Sequence, residues 1–133
     1  DLDYKLEYRA RADRYQTGGI NWITLRGLEA SLRLIRAIGT DAIQDHTLAL
    51  TNHVLDGVER RGYAVMSSRV PEQRSAIVSF TSGSSERDAD LVARLEAQKI
   101  SVVQRGRGIR VSPYFYNTFD EIDQLLETLP PIN

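Results

Sequence analysis

The sequence predicts an α+β domain in which helices pack on one face of a small, mainly antiparallel sheet. Four segments carry apolar residues at helical spacing, and shorter apolar runs of strand length lie between them. The run Arg105–Gly108 separates two such short runs and has the glycines of a hairpin turn. The element order α-α-β-β-α-β-β-α is typical of this class, and 133 residues suit one domain.

The first two helices are predicted at 21–38 and 41–61. Asn21 is a candidate N-cap, because its side-chain oxygen can accept a hydrogen bond from a free backbone N–H at the helix start. The first helix has one apolar stripe, made of Leu25, Leu28, Leu32 and Ile35. Thr40 or Asp41 is expected to cap the second helix, which ends at Gly62. Its expected inward residues are Ile43, Leu50, Val54 and Val58.

The second half alternates strands and helices. Strands are predicted at 63–66, 75–80, 100–104 and 109–112. Ser85 and Asp88 have the spacing of a capping box for a helix through Gln98. Thr118 and Glu121 repeat that spacing and open the last helix, which stops before Pro130. The residues expected to be buried there are Phe119, Ile122, Leu125, Leu126 and Leu129.

Composition excludes several classes of function. Seventeen basic residues against 18 acidic ones give a net charge of −1, which argues against a general nucleic-acid binder. No cysteine is present, so thiolate metal sites and cysteine nucleophiles are absent. His46 and His53 lie two helical turns apart, too far to share a metal ion, and no metal site is expected. No apolar run reaches the length of a membrane span, so no membrane partner is expected.

The densest cationic feature is the segment from Arg105 to Arg110, which holds three arginines and two glycines. Guanidinium groups match carboxylates and phosphates as bidentate donors, so this segment is a candidate anion site. A solvated surface turn is the alternative interpretation, and binding of RNA is a further one. Gly18-Gly19 before the first helix is either an anion site at a helix N-terminus or only a turn. The residues alone give no complete catalytic set.

Four motifs resemble class V aminotransferases, which are fold-type I enzymes that use pyridoxal phosphate. The main one, I-R-V-S-P-Y-F-Y-N-T-F-D-E-I-D at 109–123, is similar to their C-terminal signature R-x-S-x-H-x-Y-N-T-x-x-E-[IV]-D. The others are S-A-I-V-S-F at 75–80, I-S-V-V-Q-R-G at 100–106 and R-Y-Q-T-G-G-I-N at 14–21. This family includes cysteine desulfurases, selenocysteine lyases and isopenicillin epimerase-like proteins.

The resemblance implies that residues 20–133 are the small C-terminal domain of a larger enzyme that acts on an amino acid. Residues 1–19 would then be a connecting segment from a large domain. In the family, that large domain supplies the lysine that holds pyridoxal phosphate, and the enzyme is a homodimer. A cytoplasmic location is expected for this protein. The chain would therefore contribute no catalytic residue, and by itself it would be inactive and free of cofactor. Its expected partners are its own large domain and a second subunit.

The resemblance also assigns roles to individual residues. Arg110 matches the arginine that pairs with the substrate carboxylate, and Arg105 matches an arginine of the active-site loop. Gly18, Gly19 and Asn21 match the segment that reaches the cofactor phosphate of the partner subunit. Gly19 stands where the family has threonine, so only backbone donation is expected there, and Tyr114 replaces the family's histidine.

The absence of cysteine adds one expectation within the family. Cysteine desulfurases of this class carry a loop cysteine between the arginines that match Arg105 and Arg110, and here that stretch is only 106–109. The resemblance thus favours an aminotransferase, epimerase or lyase over a cysteine desulfurase. The alternative function is a stand-alone binding or dimerisation module that has the fold without catalysis.

Overall fold

A computed structural model describes residues 5, 7–15 and 18–132. It divides the chain into two compact units, Asp1–Ala37 and Ile38–Asn133. Residues 1–4, 6, 16 and 17 of the predicted connecting segment lie outside the described residues. The assignment of 1–19 as a connecting segment stays a prediction.

The first unit contains a short 3-10 turn, Ala12–Tyr15, followed by helix α1, Trp22–Ile38, whose last residue belongs to the second unit. The Oδ1 atom of Asn21 accepts a hydrogen bond of 3.1 Å from the backbone N–H of Thr24, which confirms the predicted N-cap. None of the residues of α1 is buried. Its predicted apolar stripe is well exposed, with Leu25 at 43%, Leu28 at 52% and Leu32 at 50%.

The second unit is an α+β structure, as predicted. Its elements are α2 (Thr40–Arg60), β1 (Ala64–Val65), β2 (Val78–Thr81), α3 (Ser85–Ala97), β3 (Val103–Arg105), β4 (Gly108–Val111) and α4 (Phe119–Thr128). The four strands form one sheet in the order β1-β2-β4-β3, and every neighbouring pair is antiparallel. The mainly antiparallel sheet is therefore confirmed.

The core lies between one face of this sheet and the three helices α2, α3 and α4. Val78 pairs with Val111 and Phe80 pairs with Ile109 across β2 and β4, and all four side chains are buried. Paired residues point to the same face, so these four form the sheet side of the core. The helical side consists of Leu50, Val54, Leu55 and Val58 of α2, Leu91 and Leu95 of α3, and Ile122, Leu125 and Leu126 of α4, with Leu129 directly after it.

Two predicted helix starts are wrong. Helix α2 already includes Thr40, and the residue before it, Gly39, has a positive φ of 93° and no capping side chain. Helix α3 is capped by Ser84, whose Oγ accepts from the backbone N–H of Arg87, rather than by Ser85. The carboxylate of Asp88 is fully buried and accepts from the Thr81 hydroxyl at 2.6 Å, and its other oxygen accepts from a backbone N–H at 2.8 Å. These hydrogen bonds connect the end of β2 to α3, so the Asp88 carboxylate does not take part in a capping box.

The last helix starts as predicted. Thr118 and Glu121 form a complete capping box, with the Thr118 hydroxyl accepting from the Glu121 N–H and the Glu121 carboxylate accepting from the Thr118 N–H. Phe119, however, is 42% exposed, so its predicted burial is wrong. It is the first residue of α4, and its ring packs edge-on against His46 and His53 at the rim of the core.

Candidate functional site: an arginine-bearing sheet face

The hairpin between β3 and β4 has the tightest connection that antiparallel strands allow. Arg105 pairs with Gly108, so only Gly106 and Arg107 form the turn. Gly106 has a φ of 63°, and glycine with positive φ at the first turn position is typical of a type II′ turn. The predicted strand 100–104 begins only at Val103 and ends at Arg105, which places Arg105 in the sheet instead of the turn.

Arg105 and Arg110 lie on the face of the sheet opposite the core. Arg110 lies between Ile109 and Val111, whose side chains are in the core, so its own side chain points the other way. Arg110 pairs with Ser79 on one side and with Val103 on the other, and Arg105 pairs with Gly108. The arginine face is therefore defined by Ser79, Val103, Arg105, Gly108 and Arg110.

Gly108 is buried on the arginine face, where neighbouring atoms pack closely on it. A Cβ atom at this position would lie 2.6 Å from the carbonyl oxygen of Phe80 and 2.8 Å from the sulfur of Met66. Any side chain would therefore force the backbone of β2 to shift. Gly108 lies directly across from Arg105 and two residues from Arg110, so it adds no side chain of its own between them, and the Met66 side chain packs over it.

The two charged residues of the arginine face are both positive. Arg110 is half-buried and Arg105 is exposed. The sequences of the four strands contain no acidic residue. The arginine ion pairs among the described residues involve Arg9, Arg26, Arg33 and Arg69. Within that part of the chain no carboxylate neutralises Arg105 or Arg110, so both remain available to an anionic ligand.

Part of the segment 109–123 serves the start of α4. The Asn117 side chain accepts from the Tyr114 N–H at 2.9 Å and donates to the Glu121 carboxylate at 3.1 Å. The backbone N–H of Thr118 lowers the pKa of Glu121, and the Asn117 amide lowers it further, because both donate to its charged form. The residues Asn117, Thr118 and Glu121 thus act on the fold, and Arg110 is the residue of this segment that faces the candidate site.

The predicted cofactor-binding residues Gly18, Gly19 and Asn21 belong to the first unit. Both glycines are exposed, and a Cβ atom at either would meet nothing within 4 Å. The side-chain oxygen of Asn21 is used to cap α1. Any contact that this segment makes with a phosphate would therefore use the backbone N–H groups rather than that oxygen.

The two histidines tie α2 to α4. His46 Nε2 lies 3.0 Å from the carbonyl oxygen of Asn117, and His53 Nε2 lies 2.5 Å from the carboxylate of Asp123. Both rings contact Phe119 edge-on. Among the described residues, no three His, Cys, Asp or Glu side chains come together as metal ligands. The sequence spacing of the two histidines gave no sign of these long-range contacts.

The structure also contains a groove that the sequence did not predict. Its volume is about 350 Å³, and it opens where 99–102 and 111–113 diverge beyond the paired part of β3 and β4. Lys99, Ser101, Ser112 and Glu121 are among its lining residues, whereas Arg105 and Arg110 are not. No helix in the described part of the chain is long and apolar enough to cross a membrane.

The described residues therefore form an α+β domain, in which helices pack on one face of an antiparallel sheet and Arg105 and Arg110 lie on the other. Comparison with known proteins makes this specific. Residues 2–125 match the family described as Aminotransferase class-V. The chain therefore belongs to the class V aminotransferase family.

Three relatives illustrate the match. A probable cysteine desulfurase of Methanothermobacter thermautotrophicus is 28% identical over 90% of this chain and 34% of its own length. The uncharacterized aminotransferase YcbU of Bacillus subtilis is 25% identical over 92% of this chain and 32% of its own length. The apo structure of a cysteine desulfurase from Thermococcus onnurineus NA1 has a TM-score of 0.80 at 23% identity, covering 93% of this chain and 34% of that one. This chain thus spans about a third of each relative.

The sequence favours an aminotransferase, epimerase or lyase over a cysteine desulfurase. These similarities do not support that preference. Two of the three proteins carry that name. The absence of cysteine concerns only these 133 residues, which correspond to about a third of either protein.

Proposed function

We propose that this chain is the substrate-carboxylate-binding domain of a pyridoxal-phosphate-dependent enzyme that acts on an amino acid. The observation that carries the proposal is the guanidinium of Arg110, half-buried on the arginine face with no acidic partner among the described residues. A half-buried cation without a counter-ion favours an anionic ligand, and a planar fork of donors matches a carboxylate in geometry. An amino acid held in this way has a fixed orientation.

Pyridoxal phosphate, when bound to such an enzyme, acts as the electron sink for bond cleavage at the amino-acid substrate. The described residues fit a domain that assists pyridoxal phosphate without holding it covalently. Lys5 and Lys99 are both exposed, and Lys99 lies in a turn after α3 with a φ of 62°. Neither lysine lies in the desolvated pocket that covalent chemistry at an amine requires. We therefore assign the covalent site to the remaining two-thirds of the full-length enzyme and expect the isolated chain to be inactive.

Gly18, Gly19 and Asn21 form the second part of the proposal. Their backbone N–H groups lie just before the N-terminus of α1, where donors suit the phosphate of a cofactor held by a partner subunit. The exposed stripe of α1 supports the expected association with the large domain and a second subunit. Leu25, Leu28 and Leu32 would lose contact with water in such an assembly.

The proposal is tested by titrating the ¹⁵N-labelled chain with L-alanine and following the arginine Nε–Hε resonances by NMR. The Arg110 resonance is expected to shift, and Arg110→Gln should weaken binding about tenfold, since it removes a charged bidentate contact. Arg107→Gln, which removes the same charge from the neighbouring turn, is the matched control. Equal losses in the two variants would contradict the proposal and favour the non-catalytic module.

Inactivity of the isolated chain has its own test. After incubation with pyridoxal phosphate and dialysis, the chain should retain no absorbance of the cofactor and should not release product from an amino acid. Retained cofactor would show that the 133 residues contain a covalent site. That result would overturn the assignment of the lysine to the rest of the enzyme.

A further inference from the structure

The arginine face carries more positive charge than a single carboxylate needs. Arg105 and Arg110 point to the same side of the sheet, and the strands that carry them contain no acidic residue. An amino acid with an uncharged side chain would neutralise only one of the two guanidinium groups. The second would then remain without an anionic partner beside a bound ligand.

The register places the two arginines at a suitable spacing for one ligand. Arg110 lies across from Val103, and Arg105 lies across from Gly108, so Arg105 and Arg110 are diagonal neighbours on adjacent strands. Diagonal neighbours lie about 7–8 Å apart, within reach of long side chains. Gly108 adds no side chain between them, and the place that a Cβ atom would take is already occupied by the Phe80 carbonyl and the Met66 sulfur.

We propose that the substrate of this site is an acidic amino acid, with Arg110 binding its α-carboxylate and Arg105 binding its side-chain carboxylate. This inference rests on the proposed role of Arg110 and adds the substrate class. Arg105 acts as the residue that determines specificity. It is more exposed than Arg110, so its ion pair is more screened by solvent and contributes less to affinity.

The test compares L-glutamate with L-glutamine, which have the same length and differ in the second charge. In the NMR titration of the chain, glutamate should bind about threefold to fivefold more tightly than glutamine. Arg105→Gln should make the two affinities equal, because glutamate loses more affinity than glutamine. Arg107→Gln should preserve the preference for glutamate, because its side chain belongs to the turn and not to the arginine face.

Three results would overturn the inference. Equal binding of glutamate and glutamine to the unmodified chain would remove the second carboxylate site. A preference that survives Arg105→Gln but is lost in Arg107→Gln would place the recognition in the turn. Inorganic phosphate that shifts the Arg105 resonance as strongly as glutamate at equal concentration would show a general anion site.

The same titration separates this inference from the proposed function. If both amino acids bind equally and Arg110→Gln weakens both, the carboxylate role of Arg110 stands and only the substrate class is wrong. If Arg110→Gln weakens neither, the proposed function fails and the inference fails with it.

Discussion

Helices α1 and α4 have similar sequence patterns but very different surroundings. Both are amphipathic, both have leucines on one face, and both begin at a polar N-cap. In α4, Ile122, Leu125 and Leu126 are 3–4% exposed. In α1, Leu25, Leu28 and Leu32 are 43–52% exposed. An apolar stripe shows that a helix has a face to bury, whereas the partner for that face need not be part of the same 133 residues.

The difference has a consequence for stability. Burial of apolar surface in the core stabilises the fold by roughly 25 cal/mol per Å², so the side chains of α4 contribute and those of α1 contribute little in the isolated chain. Five substitutions test this contrast.

The largest effect is expected for Leu126→Ala in α4. Leu126 is 3% exposed and packs directly over Gly57 of α2, where even a Cβ atom would collide with it. Truncation leaves a cavity and should lower the free energy of unfolding by about 3 kcal/mol. Urea denaturation followed by circular dichroism measures this change. A loss below about 1 kcal/mol would mean that α4 is not held in the core as described.

The next effect concerns the two caps. Thr118→Ala removes the acceptor for the Glu121 N–H and should cost about 1 kcal/mol of global stability, because unfolding of α4 exposes the core. Asn21→Ala removes the equivalent bond of α1, the one to the Thr24 N–H. It should increase amide exchange in the first turn of α1 and leave the urea midpoint of the chain unchanged. Equal shifts of the midpoint would show that the two helices unfold together.

A smaller effect is expected from the charge of Glu121. The pKa of this carboxyl is lowered in the folded state by the Thr118 N–H and the Asn117 amide, below its ordinary value of 4.5. The unfolded chain therefore takes up the proton first, and stability falls as the pH drops below about 4.5 toward the folded pKa. Glu121→Gln should flatten the fall of melting temperature in this acidic window. An unchanged slope would mean that the negative charge of Glu121 does not contribute to the stability of the fold.

The smallest effect is expected for Leu28→Ala in α1. Leu28 is 52% exposed, so its truncation should change the free energy of unfolding by less than about 0.5 kcal/mol. It uses the same chemical change as Leu126→Ala and is the matched partner of that experiment. A loss comparable to that of Leu126→Ala would show that the α1 stripe is buried in the isolated chain and would remove the contrast.

Much of the fold and part of the site could be predicted from local sequence. The stripe of α1, the Asn21 cap, the Thr118–Glu121 capping box and the Arg105–Arg110 hairpin each depend on residues within a few positions of one another. The capping role of Ser84 and the true length of β3 were missed. In both cases a contact with another element determines the outcome. Asp88 bonds to Thr81 instead of capping α3, and β3 extends only over the three residues that pair with β4.

The sequence by itself determined the α+β class, the helix starts at Asn21 and Thr118, and, through its motifs, the class V aminotransferase family. The tertiary structure decided the rest. Only the register of β3 with β4 places Arg105 beside Arg110 on one face, and only the close approach of Phe80 and Met66 requires glycine at 108. Spacing along a strand fixes which residues alternate, but the face that the core occupies is set by the helices that cover it.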